Sequence, residues 1–156
     1  MKQDILKFSF RFKNNNFFVT DKNHFAYNLI KSWPKWNNQQ VYIYGPEKCG
    51  KTLISNLWSE NAKARHLTSE NFSELIKDDL DIEYINKFNW VFDDIDKLIE
   101  KNSLLNNKIL NFINILKANK NLSLLMTAQK PPKQINCKLD DLTSRLLSSV
   151  VVEVKY

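Results

Sequence analysis

Apolar positions along this chain fall into two alternating periods. Residues 40–44 (Gln-Val-Tyr-Ile-Tyr) and 89–93 (Asn-Trp-Val-Phe-Asp) are short runs rich in β-branched and aromatic side chains, and they read as strands. Residues 64–67, 122–127 and 149–154 read the same way. Between them the spacing is helical. Phe25, Ala26, Leu29 and Ile30 share one face of a segment expected to start near residue 21, capped by Thr20, and to end before Pro34. Further helices are expected over residues 50–59, over 71–76 with Ser69 as cap, and over 139–147. Leu98, Leu105, Ile109, Phe112, Ile113 and Leu116 predict one long amphipathic helix over residues 96–118, capped by Asp96. The stretch up to Lys87 is ambiguous, and Lys130-Pro131-Pro132-Lys133 breaks the chain. Strands alternating with helices predict an α/β fold with a parallel sheet, and strands that are nearly continuous in apolar residues predict helices on both faces.

Composition narrows the class. The chain has 156 residues, of which 43% are hydrophobic, enough for one domain with its own core. Residues 1–16 are polar, interrupted by Asn14-Asn15-Asn16, and read as an extended N-terminal arm; residues 17–156 read as the folded core. No run of about 18 apolar residues predicts a membrane span. The first twelve residues carry no apolar core or small-residue cleavage site of a secretory signal. Cys49 and Cys137 suggest neither a disulfide framework nor a metal knuckle, which fits a reduced, cytoplasmic compartment. Net charge is +6, from 23 basic and 17 acidic residues, with the lysines scattered. That pattern describes a solvated surface, with weak attraction to nucleic acid or to an acidic partner as the sharper alternative.

The strongest motif is Gly45-Pro46-Glu47-Lys48-Cys49-Gly50-Lys51-Thr52, which fits G-x-x-x-x-G-K-[ST] between a strand and a helix. Glycines let the backbone bend so that successive N–H groups face phosphate oxygens, and the following helix adds the positive end of its dipole. Lys51 is then expected to reach the β- and γ-phosphates, and the Thr52 hydroxyl to bind Mg²⁺. The whole chain contains two glycines, and both lie here, where backbone geometry demands them. Cys49 reads as a tolerated small residue in the loop, with a thiol activated by the helix N-terminus as the alternative. A second motif, Trp90-Val91-Phe92-Asp93-Asp94, is an apolar strand ending in paired carboxylates. Asp93 suits the metal shell, and Asp94 suits orientation of an attacking water.

These pieces resemble a known family. The chain is similar to the AAA+ domain of the replication initiator DnaA, and more closely to its shortened regulatory relatives of the Hda type, in the alphaproteobacterial style. The matching residues are Phe17-Phe18-Val19-Thr20, Asn23 and Ala26, and Trp33-Pro34-Lys35-Trp36. They continue through the phosphate loop, Asp93-Asp94-Ile95-Asp96, Leu125-Met126-Thr127-Ala128 and Pro131-Pro132, and end with Leu139 to Leu146. The resemblance implies an AAA+ core with a five-stranded parallel sheet of order 5-1-4-3-2. It implies that Phe18 and Val19 lie near an adenine, and that residues 45–53, through Leu53, cradle ADP or ATP with Mg²⁺. It implies that Arg145 resembles an arginine finger that reaches a nucleotide on a neighbouring subunit, here DnaA. Gln3-Asp4-Ile5-Leu6-Lys7-Phe8 resembles the peptide with which Hda-type proteins bind the sliding clamp of DNA polymerase III, with Gln3, Leu6 and Phe8 as anchors.

The chain also departs from the family. Leu53 and Ile54 follow the loop where His and Leu are usual. Gln129 stands at the sensor position after the fourth strand, where initiators carry Asp; it hydrogen-bonds a phosphate or water without charge. The helical lid with its second sensor arginine is expected to be absent, which leaves hydrolysis by the chain itself open. Three readings follow: a regulator that completes DnaA's active site, a DNA-stimulated AAA+ ATPase of the helicase-loader kind, and a lidless remnant that no longer binds nucleotide. The intact Lys51, Thr52 and Asp93 argue against the last. Self-association fits an AAA+ interface, and Lys130, Lys133 and Lys138 are candidates to face DnaA or nucleic acid.

Overall fold

The computed structural model describes residues 10–12, 15–17, 20–75 and 80–155. Near the start, β1 (Phe10–Phe12) and β2 (Asn15–Phe17) pair antiparallel, where an extended arm is expected. The main sheet holds β3 (Gln40–Tyr44), β4 (Arg65–Leu67), β5 (Trp90–Phe92), β6 (Leu124–Ala128) and β7 (Val150–Glu153) in the order β4-β5-β6-β3-β7. Every neighbouring pair in it is parallel. Numbered from the first core strand, this is 5-1-4-3-2, as the resemblance implies.

Alternation along the strands divides the core into two layers. Val41, Ile43, Val91 and Leu125 face α1 (His24–Ser32) and α2 (Lys51–Ala62), packing on Ala26, Ile30, Ile54, Leu57 and Trp58. Trp36 stacks on Trp58 there, with ring centroids 5.6 Å apart. Tyr42, Trp90, Phe92, Leu124 and Met126 face the opposite layer. That layer is built by α3 (Ser69–Leu75), α4 (Ile82–Ile85), α5 (Ile95–Lys101), α6 (Asn106–Lys117) and α7 (Asp140–Ser148). Phe72, Phe92 and Phe112 meet there in tilted and edge-on pairs, the geometry aromatic quadrupoles favour. Among the described residues no helix is long and apolar enough to cross a membrane.

Several boundaries differ from the sequence expectation for identifiable reasons. The helix expected over residues 96–118 is two helices. Asn102 breaks it with an extended backbone (φ −142, ψ 89), and its side chain accepts from the Leu104 N–H at 3.2 Å. Short polar side chains compete with helical hydrogen bonds in this way. Leu104 ends up 88% exposed, while the flanking Leu98 and Ile109 stay in the core. Ser69 is not a cap: it opens α3, and Thr68 Oγ1 accepts from the Asn71 N–H at 3.3 Å instead. Thr20 begins a turn rather than a helix. Its N–H donates to Asn23 Oδ1 at 2.8 Å, and α1 starts at His24.

Candidate functional site

The site forms at the carboxyl ends of the strands, where open parallel sheets place ligands. The loop from Gly45 to Gly50 joins β3 to α2. Gly45 is packed against the residue that follows β7: a Cβ on it would sit 2.1 Å from the Val154 carbonyl oxygen. Its N–H donates to the Ala128 carbonyl at 3.1 Å, which ties the loop to β6. Gly50 turns the chain into α2 with φ 98, a left-handed conformation that favours glycine. The first turn of α2 carries no acidic residue, so the positive end of the helix dipole faces the loop uncompensated. Lys51 folds back over this loop. Its Nζ donates to the carbonyls of Gly45 and Pro46, the latter at 2.9 Å, and lies 3.9 Å from Cys49 Sγ.

The acidic side follows β5. Asp93 is half-buried, and its Oδ1 accepts from Thr127 Oγ1 at 3.2 Å. The same hydroxyl accepts from the Asp94 N–H at 3.1 Å. His66 on β4 places Nδ1 3.4 Å from Asp93 Oδ2 and Nε2 2.9 Å from Ser59 Oγ on α2. Asp94 is exposed and left-handed (φ 52), stands as N-cap residue of α5, and lies 3.9 Å from Lys97 Nζ.

Between the two sides lies a cleft of about 460 Å³. It is lined by Glu47, Lys48, Gly50, Lys51, Thr52 and Leu53 on one side and by Asp94, Lys97 and Gln129 on the other. Eight of the expected site residues, Glu47, Lys48, Gly50, Lys51, Thr52, Leu53, Asp94 and Gln129, thus meet in one cleft. Gln129 Nε2 donates to Glu47 Oε1 at 2.9 Å, and Lys97 Nζ lies 3.7 Å from the same oxygen, so a polar bridge spans the mouth. Pro46 and Cys49 stand beside Lys51 rather than on the wall, and Asp93 sits behind Asp94. Arg145 is half-buried on α7 and is not part of the lining. Phe18, Val19, Gln3, Leu6 and Phe8 lie outside the described residues.

Asp96 does something other than cap. It is 2% exposed, and its Oδ2 accepts from the N–H groups of Gln129 at 3.0 Å and Lys130 at 3.3 Å. One turn later, Glu100 accepts from Lys130 Nζ at 2.8 Å and from the Asn136 N–H at 2.8 Å. Those two donors hold the Glu100 carboxyl below its ordinary range. Tyr42 OH donates to the Lys130 carbonyl at 2.6 Å; burial, then Asp96 and Glu100, push this phenol well up. The strand-6 exit that carries Gln129 is therefore clamped to α5. Sequence reasoning misses His66, Thr127 and Lys97 as site residues. Only Lys97, three residues after Asp94 and so on the same helical face, leaves a local signal.

The donors suit magnesium. Thr52 and Asp93 offer a hydroxyl and a carboxylate, and among the described residues no group of three or more His, Cys, Asp or Glu side chains could hold a metal ion alone. Mg²⁺ takes few protein oxygens and completes its shell with phosphates and water.

A phosphate loop after the first core strand, an acidic pair after the third and this strand order together define a P-loop domain of the AAA+ class. Within that class, residues 6–153 match the bacterial DnaA ATPase domain, and the chain belongs to that family. No curated protein sequence matches it significantly. The fold is similar to AMPPCP-bound DnaA from Aquifex aeolicus, at TM-score 0.75 and 21% identity, over 88% of this chain and 48% of that one. It is similar to domain III of DnaA from Thermotoga maritima, at TM-score 0.66 and 23% identity, over 87% and 63%. DnaI matches at TM-score 0.69 and 15% identity over 99% and 94%. The chain thus spans about half the length of the first DnaA structure.

Proposed function

We propose that this chain binds an adenine nucleotide with magnesium in the cleft of residues 45–53, and that it regulates replication initiation in the Hda manner. The observation that carries the nucleotide half is the convergence of Lys51, Thr52, Asp94 and Gln129 on one cleft at the positive end of α2. On binding, Lys51 exchanges the Gly45 and Pro46 carbonyls for phosphate oxygens. Thr52 and Asp93 hold the ion, which neutralises phosphate charge. Asp94 orients water, Gln129 hydrogen-bonds the terminal phosphate or that water, and Phe18 and Val19 flank the adenine.

The regulatory half rests on Arg145. It stands outside the chain's own cleft, which suits a guanidinium offered to a nucleotide on another subunit. A finger of this kind supplies charge where it develops in the transition state and is worth ~10³–10⁵ in rate. In this reading the arm of residues 1–16 docks on the sliding clamp through Gln3, Leu6 and Phe8, and the core of residues 17–156 meets DnaA. The net charge of +6 supports weak contact with nucleic acid.

The test is hydrolysis of ATP pre-bound to the cognate DnaA, with this protein and DNA-loaded clamp added, beside an Arg145→Ala variant. Acceleration that disappears in the variant is expected. No acceleration, together with turnover by this chain alone that single-stranded DNA stimulates, would replace the reading with an ATPase of the helicase-loader kind.

A further inference from the structure

His66 takes no part in the lining of the cleft, yet it bridges the Asp93 carboxylate to Ser59 on α2, the helix that carries Thr52. Register puts it there. His66 pairs with Val91 across parallel β4 and β5, and the Asp93 N–H donates to the Leu67 carbonyl at 2.9 Å. Side chains alternate along a strand, so His66, Val91 and Asp93 project from the same sheet face. That face packs on α2, since Val91 shares a core layer with Ile54, Leu57 and Trp58. Helix α2 carries Thr52 in its first turn and Ser59 two turns later. The result is a polar rail: Ser59 Oγ to His66 Nε2 at 2.9 Å, then His66 Nδ1 to Asp93 Oδ2 at 3.4 Å.

Both carboxylate oxygens of Asp93 are thereby restrained, Oδ1 by Thr127 and Oδ2 by His66. With the ring hydrogen on Nδ1, His66 donates to Asp93 and accepts the Ser59 hydroxyl at Nε2. The Ser59 hydroxyl has a second acceptor, the Asn56 carbonyl, at the longer distance of 3.2 Å. A carboxylate at a strand end otherwise rotates about its last torsion, and Thr127 alone restrains one oxygen.

We propose that His66 is a positioning residue for the magnesium site: it orients Asp93 and ties that carboxylate to the helix that carries Thr52. The inference rests on the reading that Thr52 and Asp93 hold magnesium beside a bound nucleotide. Partners behind a metal-binding side chain tune metal affinity by roughly 10–100-fold, a larger effect than the modest exposure of the pair would suggest.

The experiment is binding of a fluorescent ADP to the full chain, titrated with Mg²⁺ and repeated in EDTA. His66→Ala is expected to raise the Mg²⁺ concentration for half-maximal binding roughly tenfold, while affinity in EDTA stays within about twofold. His66→Asn places an amide N–H where Nδ1 stands and restores most of the Mg²⁺ response. His66→Gln reaches towards Ser59 instead and does not. Ser59→Ala, which leaves the ring in place, gives a smaller rise of the same sign and carries the test if the alanine variant at 66 does not fold. An unchanged Mg²⁺ requirement in His66→Ala with ADP still bound overturns the proposal, as does an Asn variant no better than Ala. ADP binding by the unaltered chain that ignores Mg²⁺ removes the underlying metal reading instead, and the proposal with it.

Discussion

Lys51 illustrates how a binding residue waits for its ligand. Its half-buried ammonium rests on the Gly45 and Pro46 carbonyls of the loop it serves, so its donors are satisfied before nucleotide arrives. Lys51→Ala removes contacts of the charge-assisted kind, worth about 1.5–3 kcal/mol each. Calorimetry should show nucleotide affinity reduced at least tenfold, while the melting temperature moves little because Lys51 is not in the core. Gly45→Ala should behave oppositely. Its Cβ meets the Val154 carbonyl, a backbone atom that cannot rotate away, and overpacking of this kind costs about 1–3 kcal/mol. The melting temperature should fall by roughly 2–4 °C per kcal/mol, and a variant as stable as the parent would show that β7 yields freely. Both residues are legible in the sequence because their motif is local. His66 is not, because it meets Asp93 only through strand pairing across 27 positions.

At the scale of elements, α5 is the piece whose role the pattern conceals. The apolar stripe from Leu98 to Leu116 keeps a helical phase across Asn102, so periodicity cannot see that Asn102 leaves the helical backbone. Nor can it see that Asp96, placed where caps occur, points inward to two backbone N–H groups. Asp96→Ala removes the buried acceptor of the half-buried Gln129 N–H and of the more exposed Lys130 N–H, and denaturant unfolding should register roughly 1–3 kcal/mol. Glu100, one turn on, ties Lys130 and Asn136 to the same helix. Its folded carboxyl titrates below its unfolded value, so its contribution is complete above about pH 4.3 and is lost as pH falls through the depressed folded value. Melting curves of the parent and Glu100→Gln should therefore differ near neutrality and converge in acid. The strands of the main sheet, by contrast, are legible to within a residue or two, because each is an apolar run between turn residues, whereas the polar β1–β2 pair is not.

For the whole molecule, alternation of strands and helices is enough to predict a parallel sheet, but not its order. Order depends on which crossovers the chain makes, and here it entered through the family resemblance. That order sets β3 between β6 and β7, so the phosphate loop and Gln129 issue from the carboxyl ends of neighbouring strands, whereas α7, which carries Arg145, leads into the start of β7. Asp94 and Gln129 line the chain's own cleft, whereas Arg145 does not. If the protein is two half-sites, one for its own nucleotide and one offered to a neighbour, substitutions in each should separate. Asp94→Asn should leave stimulation of DnaA-bound ATP hydrolysis intact and suppress any turnover by this chain alone. Arg145→Ala should leave nucleotide binding by this chain intact and remove the stimulation, by ~10³-fold if the guanidinium acts as a finger. Running both variants in one assay separates the two half-sites from a single shared centre, because in a shared centre each substitution would damage both activities together.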